Sequence, residues 1–300
     1  MVSAAVDEEE TGGLWSVRSL FRVVATHWAL LAGLLVLAIP TFGSLARQTW
    51  SSDLGAHGPI VLATGLWLLS RCRKRMIAQR TVPASGILFL MLAVSLALYI
   101  FGRAYDFLFL EGAGFYLIAL TMLYSLVGAG GLRVAAFPLV YLAFIVPLPG
   151  WVIAQLTVPL RNFVSFVATE GLQHLGYPII RHGVALYIAQ YQLLVEDACA
   201  GMNSIVGLTA ITLFYIYVMD RTRSGYALFL LLLVIPIAIF VNLLRVVALI
   251  LITYYAGDGV AQGFMHVTTG IVLFGVALVV MFLVDMTLGA AFRRSGRAPT

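Results

Sequence analysis

The chain has 300 residues, of which 62% are hydrophobic and only 10% charged, with a formal net charge of +5. Soluble domains carry about 45–50% apolar and about 25% charged residues, so a single water-solvated core is excluded and the solvent must be largely lipid. The positive charge does not point to nucleic acid, because most of the 18 basic residues fall in short stretches between apolar runs, where they orient membrane segments.

Backbone polar groups in hydrocarbon must be satisfied within the segment, so spanning runs of about 20 apolar residues fold as helices. The period-2 alternation of a membrane barrel is absent. The expected fold class is therefore an all-α polytopic membrane protein with about eight transmembrane helices. Residues 1–22 open with Asp7-Glu-Glu-Glu10, turn basic at Arg18 and Arg22, and form an N-terminal tail. The apolar run 23–42 has no small-x-small cleavage site after it and reads as a retained helix. Further runs fall at 57–70, 83–102, 112–128, 132–149, 200–218, 226–255 and 267–291, followed by a basic tail, 292–300. The seventh run contains Pro236, which removes a backbone donor and predicts a kink. Gly128-Ala-Gly-Gly131 reads as a short cytoplasmic turn, and Cys72 falls in a basic loop.

The loops set the orientation. Arg71, Arg73, Lys74, Arg75, Arg80, Arg133, Arg221, Arg223, Arg293, Arg294, Arg297, Arg18 and Arg22 all fall on one side if both termini are cytoplasmic. Only Arg47, Arg103, Arg161, Arg181 and Arg245 lie elsewhere, and the reverse orientation would invert the positive-inside bias. The two cysteines, Cys72 and Cys199, then lie at opposite faces. A disulfide needs Cα atoms within about 7 Å, so both read as free thiols.

Residues 150–198 form the one sizeable stretch that is not plainly spanning. Pro147-Leu-Pro149-Gly150 closes the fifth run at the outer face. Trp151–Leu175 is apolar but interrupted by Gln155, Pro159, Arg161, Glu170, Gln173 and His174, which predicts one or two amphipathic helices on the interface. A ninth span here would carry Arg161 near its middle, at a cost of a few kcal/mol. Tyr177-Pro-Ile-Ile, Gly183 to Ile188 and Tyr191 to Val195 are β-prone runs broken by turn residues, so a small extracytoplasmic β-hairpin region is expected before the sixth span.

Ionisable residues within or at the edge of membrane segments are candidates for function. Cys199 sits where the sixth run begins, and the positive end of a helix dipole there favours a thiolate. Free cysteine also packs as a small apolar residue. Ala198, Ala200 and Gly201 leave room for a substrate backbone. Glu196 and Asp197 oppose the thiolate, because nearby negative charge raises a thiol pKa. Arg245 in the seventh run could supply the compensating cation, with Asn242 three residues earlier on the same helix face; it equally reads as a snorkelling or structurally paired arginine. His266, at the outer start of the eighth run, is the natural general base and acid for a thiol nucleophile, or a hydrogen-bonded cap. His27, His57, His174 and His182 are scattered, no metal-ligand spacing is present, and the His-Glu-x-x-His, Gly-x-Ser-x-Gly and Walker patterns are absent.

Asp197-Ala198-Cys199-Ala200-Gly201, Asn242-Leu-Leu-Arg245 and His266-Val-Thr-Thr-Gly270, in this order at the outer ends of late membrane runs, resemble the exosortase/archaeosortase family pattern of Glu-Ala-Cys-Ser-Gly, Asn-x-x-Arg and His-x-x-x-Gly. Ile145-Val-Pro147-Leu-Pro149 followed by amphipathic helix and hairpin resembles the family as well, and the likeness covers about residues 85–290. The chain departs from the pattern at Asp197, Ala200 and Asn203, where the family carries Glu, Ser and commonly Arg.

The resemblance implies a cysteine-dependent protease or transpeptidase of the bacterial inner membrane that cleaves C-terminal sorting signals through a thioester, with its active site facing the periplasm and both termini cytoplasmic. Its expected partners are exported proteins bearing a C-terminal motif, one membrane helix and a basic tail, alongside the lipid bilayer; no nucleic acid, metal or organic cofactor is implied. It casts Cys199, Arg245 and His266 as catalytic, with Asp197, Glu196, Gly201 and Asn242 supporting. Two other readings remain: a non-enzymatic transporter or polysaccharide-export subunit, and a membrane acyltransferase using the same thiol on a lipid donor. Against the first, no paired broken helices suggest an inverted repeat.

Overall fold

The computed structural model describes residues 17–51, 55–183, 185–194, 201–219, 224–257, 259–261, 263, 275–276 and 279–287. The tails, the 221–223 link, Glu196, Asp197, Cys199 and His266 lie outside the described residues.

Helices dominate, as the apolar runs require. In chain order they are α1 (Val17–Leu45, continued as a π-helical turn Ala46–Trp50), α2 (Gly58–Ala78), α3 (Ser85–Ala104), α4 (Leu108–Val134), α5 (Ala136–Leu142, continued as a 3₁₀ turn Ala143–Ile145) and α6 (Gly150–His174). The strands β1 (Ile179–His182), β2 (Ala185–Ile188) and β3 (Tyr191–Leu194) follow, and then α7 (Gly201–Val218) and α8 (Ser224–Ala256). Residues 279–287 are helical as well. Among the described residues, five helices are long and apolar enough to cross a membrane: Trp28–Trp50, Ser85–Ala104, Leu108–Val134, Gly150–His174 and Tyr226–Ala256. Their large exposed side chains, such as Phe89, Leu90, Ile100, Leu232 and Phe240, are apolar, as lipid contact demands.

Several local expectations change. Cys72 is not in a loop: α2 runs on through Arg71-Cys-Arg-Lys-Arg75, and Cys72 is 0% exposed in a core with Met76, Val127 and Ala135. Arginine and lysine are good helix formers, so the helix outlasts its apolar stretch. Gly128–Gly131 is not a turn but lies inside α4. The helix breaks only at Gly128, at φ 65 and ψ −172, and resumes. Thr81 holds that break: its N–H donates to the Val127 carbonyl at 3.1 Å and its Oγ1 accepts from the Gly130 N–H at 3.0 Å. The fifth run yields only α5 and its 3₁₀ turn before the chain becomes extended at Val146. Residues 150–174 form one unbroken helix, and the expected hairpin is a three-stranded antiparallel sheet in the order β1-β2-β3, with Ile180 opposite Tyr187 and Leu186 opposite Leu193.

The elements share a common polarity. α2 and α7 pack in the same direction, with Val61 and Ala210 in one core and the Cys72 Sγ 3.6 Å from the Tyr217 hydroxyl further along. The start of α7, the sheet and His57 therefore mark one end of the bundle, termed the sheet end, and Arg71–Arg80 mark the other. Arg103 Nη1 ties α1, α3 and α4 together near the sheet end, donating to Ser44 Oγ at 3.1 Å and pairing with the buried Glu111 at 3.3 Å. α3 and α4 meet backbone to backbone: a Cβ on Gly102 would fall 2.2 Å from the Glu111 nitrogen, the close approach that small residues allow in membranes. At the opposite end Asp285 accepts from the hydroxyls of Tyr215 and Tyr226, joining the 279–287 helix to α7 and α8.

Candidate active site

The sheet is the platform from which the chain reaches Cys199. Ile179, Leu186 and Ile188 bury against Val164, Ala168 and Leu172 of α6 and against Val246, Leu249 and Ile250 of α8. Gln173 Nε2 donates to the Ile179 carbonyl at 2.7 Å, and the Tyr177 and Tyr255 hydroxyls meet at 2.9 Å. β3 ends at Leu194 and α7 opens at Gly201. The thiol and its two acidic neighbours thus belong to the link between a sheet seated on α6 and α8 and the helix packed beside α8.

Arg245 and Asn242 are in place on α8. They are 4% and 3% exposed. Their spacing of three puts them on one face, with Val241 in the core shared with α7 and Val246 in the core shared with α6 and the sheet. A guanidinium in so apolar a setting costs several kcal/mol unless its charge is met, and both side chains are engaged. α8 therefore delivers a cation and an amide to the junction of α6, α7 and the sheet.

α6 contributes a feature that the sequence reading passed over. Thr157, Ser165 and Thr169 are buried, and Arg161, partly buried, falls between them at the same four-residue spacing. Four-residue spacing stacks side chains on one helix face, so the residues that looked like interruptions form a polar stripe. Thr157 Oγ1 donates to the Ile153 carbonyl at 2.6 Å and Ser165 Oγ to the Arg161 carbonyl at 2.7 Å, which satisfies these two hydroxyls locally. Arg161 is engaged as well. The signal that could have found the stripe was the spacing of Thr157, Arg161, Ser165 and Thr169.

His57, discounted in the sequence, precedes α2 without a side-chain capping bond and lines a cavity of about 800 Å³ at the sheet end, walled by Trp50, Asp106, Phe144, Trp151 and, from α7, Val206. Burial pushes its imidazole below the ordinary value, partly countered by a hydrogen bond to the Phe144 backbone. Among the described residues no group of His, Cys, Asp and Glu is placed to hold a metal ion.

No curated protein and no solved structure matches the chain. The family described as "Transmembrane exosortase (Exosortase_EpsH)" matches residues 49–283. That interval covers well over half of the chain and takes in the sheet, α6, α7, α8 and all three positions singled out for chemistry. This multi-pass membrane protein, built from long apolar helices with a small three-stranded sheet, belongs to the transmembrane exosortase family.

Proposed function

We propose that the chain is a cysteine transpeptidase or protease that removes C-terminal sorting signals from exported proteins at the periplasmic surface of the bacterial inner membrane. One observation carries the reading: the family match takes in Cys199, Arg245 and His266 together. The burial of Arg245 beside Asn242, on the helix that packs against α7, supports a site there. The gathering of Arg71, Arg73, Lys74 and Arg75 at the end of α2 remote from the sheet supports a cytoplasmic location for that end.

In the proposed reaction the Cys199 thiolate attacks the scissile carbonyl carbon, and electrons move onto the carbonyl oxygen. The Arg245 guanidinium stabilises that oxyanion, and His266 gives a proton to the departing amine as the C–N bond breaks. A thioester remains on Cys199. His266, now neutral, takes a proton from an incoming amine or water as it attacks, and the thiolate leaves. The substrate's membrane helix would hold its cleavage point at the depth of Cys199 and convert the encounter into an effectively intramolecular one.

The test co-expresses the protein with an exported reporter carrying a Pro-Glu-Pro type motif, a membrane helix and a basic tail, and compares wild type with Cys199→Ala by mass. Loss of the tail with wild type alone is expected. Equal loss in both removes Cys199 as nucleophile. A thioester formed without any protein substrate would instead indicate a lipid-donor acyltransferase.

A further inference from the structure

Two arginines are drawn into the junction of α6, α7, α8 and the sheet. Arg245 is buried on α8, and Arg161 is half-buried on α6 with its Nε enclosed. The apolar face of α6, with Val164, Ala168 and Leu172, shares one core with the sheet and with Val246, the neighbour of Arg245. The stripe of Arg161, Ser165 and Thr169 is displaced from that face by one residue, about 100° around the helix, yet Ser165 and Thr169 are buried too. Thr169 Oγ1 has no hydrogen-bond partner among the described residues, and a buried hydroxyl ordinarily finds one. The stripe therefore faces something polar.

The link that carries Cys199 passes this stripe. Leu193 of β3 shares a core with Ala168 and Leu172, towards one end of α6. Val206 of α7 shares the wall of the sheet-end cavity with Trp151 and Ile153, at the other end. From Ala168 to Ile153 α6 covers roughly 22 Å, at about 1.5 Å per residue. Between Leu193 and Val206 the chain must make that passage, first as the link and then, from Gly201, as the start of α7. Arg161 lies midway along it.

Charge has to balance here, because a guanidinium in an apolar setting costs several kcal/mol unless its charge is met, and both arginines are engaged. The described carboxylates lie elsewhere. Glu111 pairs with Arg103, Asp285 sits with Tyr215 and Tyr226 at the opposite end, and Asp106 is exposed. Glu170 is exposed as well, and its spacing from Arg161 puts it on the opposite face of α6. Glu196 and Asp197 fall within the link itself. The neighbouring elements add little charge: α7 brings no charged residue, and β1 brings Arg181, held over the Phe166 ring at 5.7 Å, and the exposed His182.

We infer that Arg161 is a positioning residue for the nucleophile. It takes one carboxylate of the Glu196–Asp197 pair, anchors the link to α6, and leaves Arg245 to face the other carboxylate and the reacting carbonyl. The inference rests on the reading of Cys199 as nucleophile and adds what sets its ionisation. Acids beside a thiol hold its pKa up; Arg161 cancels part of that field, and the thiolate forms nearer neutral pH.

The test reads the thiol directly. The purified full chain in nanodiscs is alkylated with iodoacetamide across the neutral and alkaline range, and modification is followed by mass. The same measurement on Cys199→Ala gives the contribution of Cys72, which is fully buried. Arg161→Gln should move the Cys199 profile up by about one pH unit, a roughly tenfold loss of rate at neutral pH, whereas Arg161→Lys keeps the charge and should leave the profile in place. Neutralising the partner acid as well should cancel the shift, so Arg161→Gln combined with Glu196→Gln or with Asp197→Asn should return to the wild-type profile. An unmoved profile in Arg161→Gln, an equal shift in Arg161→Lys, or cancellation by neither acid would overturn the inference. So would cancellation by Asp53→Asn, which changes the acid between α1 and α2. Because Arg161→Gln could fail to fold, thermal midpoints are taken alongside. One of the two double variants should recover the midpoint, and double variants as unstable as the single one would also overturn the pairing. None of these readouts needs peptide cleavage. The proposed reaction would survive their failure, and a Cys199→Ala protein that still cleaved the reporter would sink the reaction without touching the thiol profile.

Discussion

At the scale of single residues, two positions separate what the fold requires from what the chemistry requires. Gly128 holds φ 65 and ψ −172, and a Cβ there would lie 2.1 Å from the Thr81 carbonyl oxygen. That backbone region is essentially reserved for glycine and costs about 1–3 kcal/mol for other residues, so Gly128→Ala should lower the thermal midpoint of the purified protein markedly. Gly171→Ala is the contrast. It lies in the α6 helix with nothing within 4 Å of its would-be Cβ, and relief of glycine's entropy should stabilise by about 0.5–1 kcal/mol. A melt in which both variants fall equally would deny the Thr81 contact its role. Arg245→Lys tests chemistry instead. Lysine keeps the charge but loses the planar fork that matches an oxyanion, so reporter cleavage should fall by about 10²–10³ while the midpoint moves little. A rate close to wild type would leave Arg245 a structural cation.

At the scale of elements, what the sequence discloses depends on how local the cause is. Apolar runs of spanning length stand out because the lipid solvent imposes them on each segment separately, and α1, α3, α4 and α8 fall close to where they are read. The strands stand out too, since Ile179, Leu186 and Leu193 lie in short β-prone runs. What stays hidden depends on partners. Gly128–Gly131 has the composition of a turn, and only Thr81, remote in sequence, keeps α4 continuous through it. Arg161 looks like a break in α6 until its face is known to be buried. The site is half legible for the same reason: Arg245 and Asn242 stand out as polar groups in an apolar run, whereas His57 gains significance only from the cavity that it lines. The 279–287 helix offers an element-scale prediction. Its Asp285, 2% exposed, accepts from Tyr215 and Tyr226. A buried bond to a charged acceptor contributes about 1.5–3 kcal/mol, so Tyr226→Phe should lower the midpoint in detergent, and Tyr215→Phe likewise. The cost of double substitution should depart from the sum of the single costs if the two hydroxyls share one carboxylate. Strict additivity would mean that the tyrosines act apart.

At the scale of the whole molecule, everything proposed for the site turns on which end faces the periplasm. The bundle has a clear polarity: the sheet, the start of α7, His57 and the Arg103–Glu111 pair lie at one end, and Arg71, Arg73, Lys74 and Arg75 at the other. Lysine and arginine at the ends of membrane helices favour the cytoplasm, so under the proposed function the sheet end should be periplasmic. The chain lends itself to a direct test, because Cys72 is fully buried and makes a poor target for a thiol reagent. In a Cys199→Ala background, Gln192→Cys places a thiol on an exposed strand position and Arg73→Cys places one at the far end of α2. A membrane-impermeant maleimide added to intact spheroplasts should label the first at once and the second only after lysis. The reverse pattern would put the link that carries Cys199 on the cytoplasmic side, where an exported substrate could not meet it. The family membership would stand while the proposed substrate fell. Labelling of both before lysis would mean that the two ends do not lie on opposite sides of the bilayer, and the helices between them would have to lie along the membrane rather than through it.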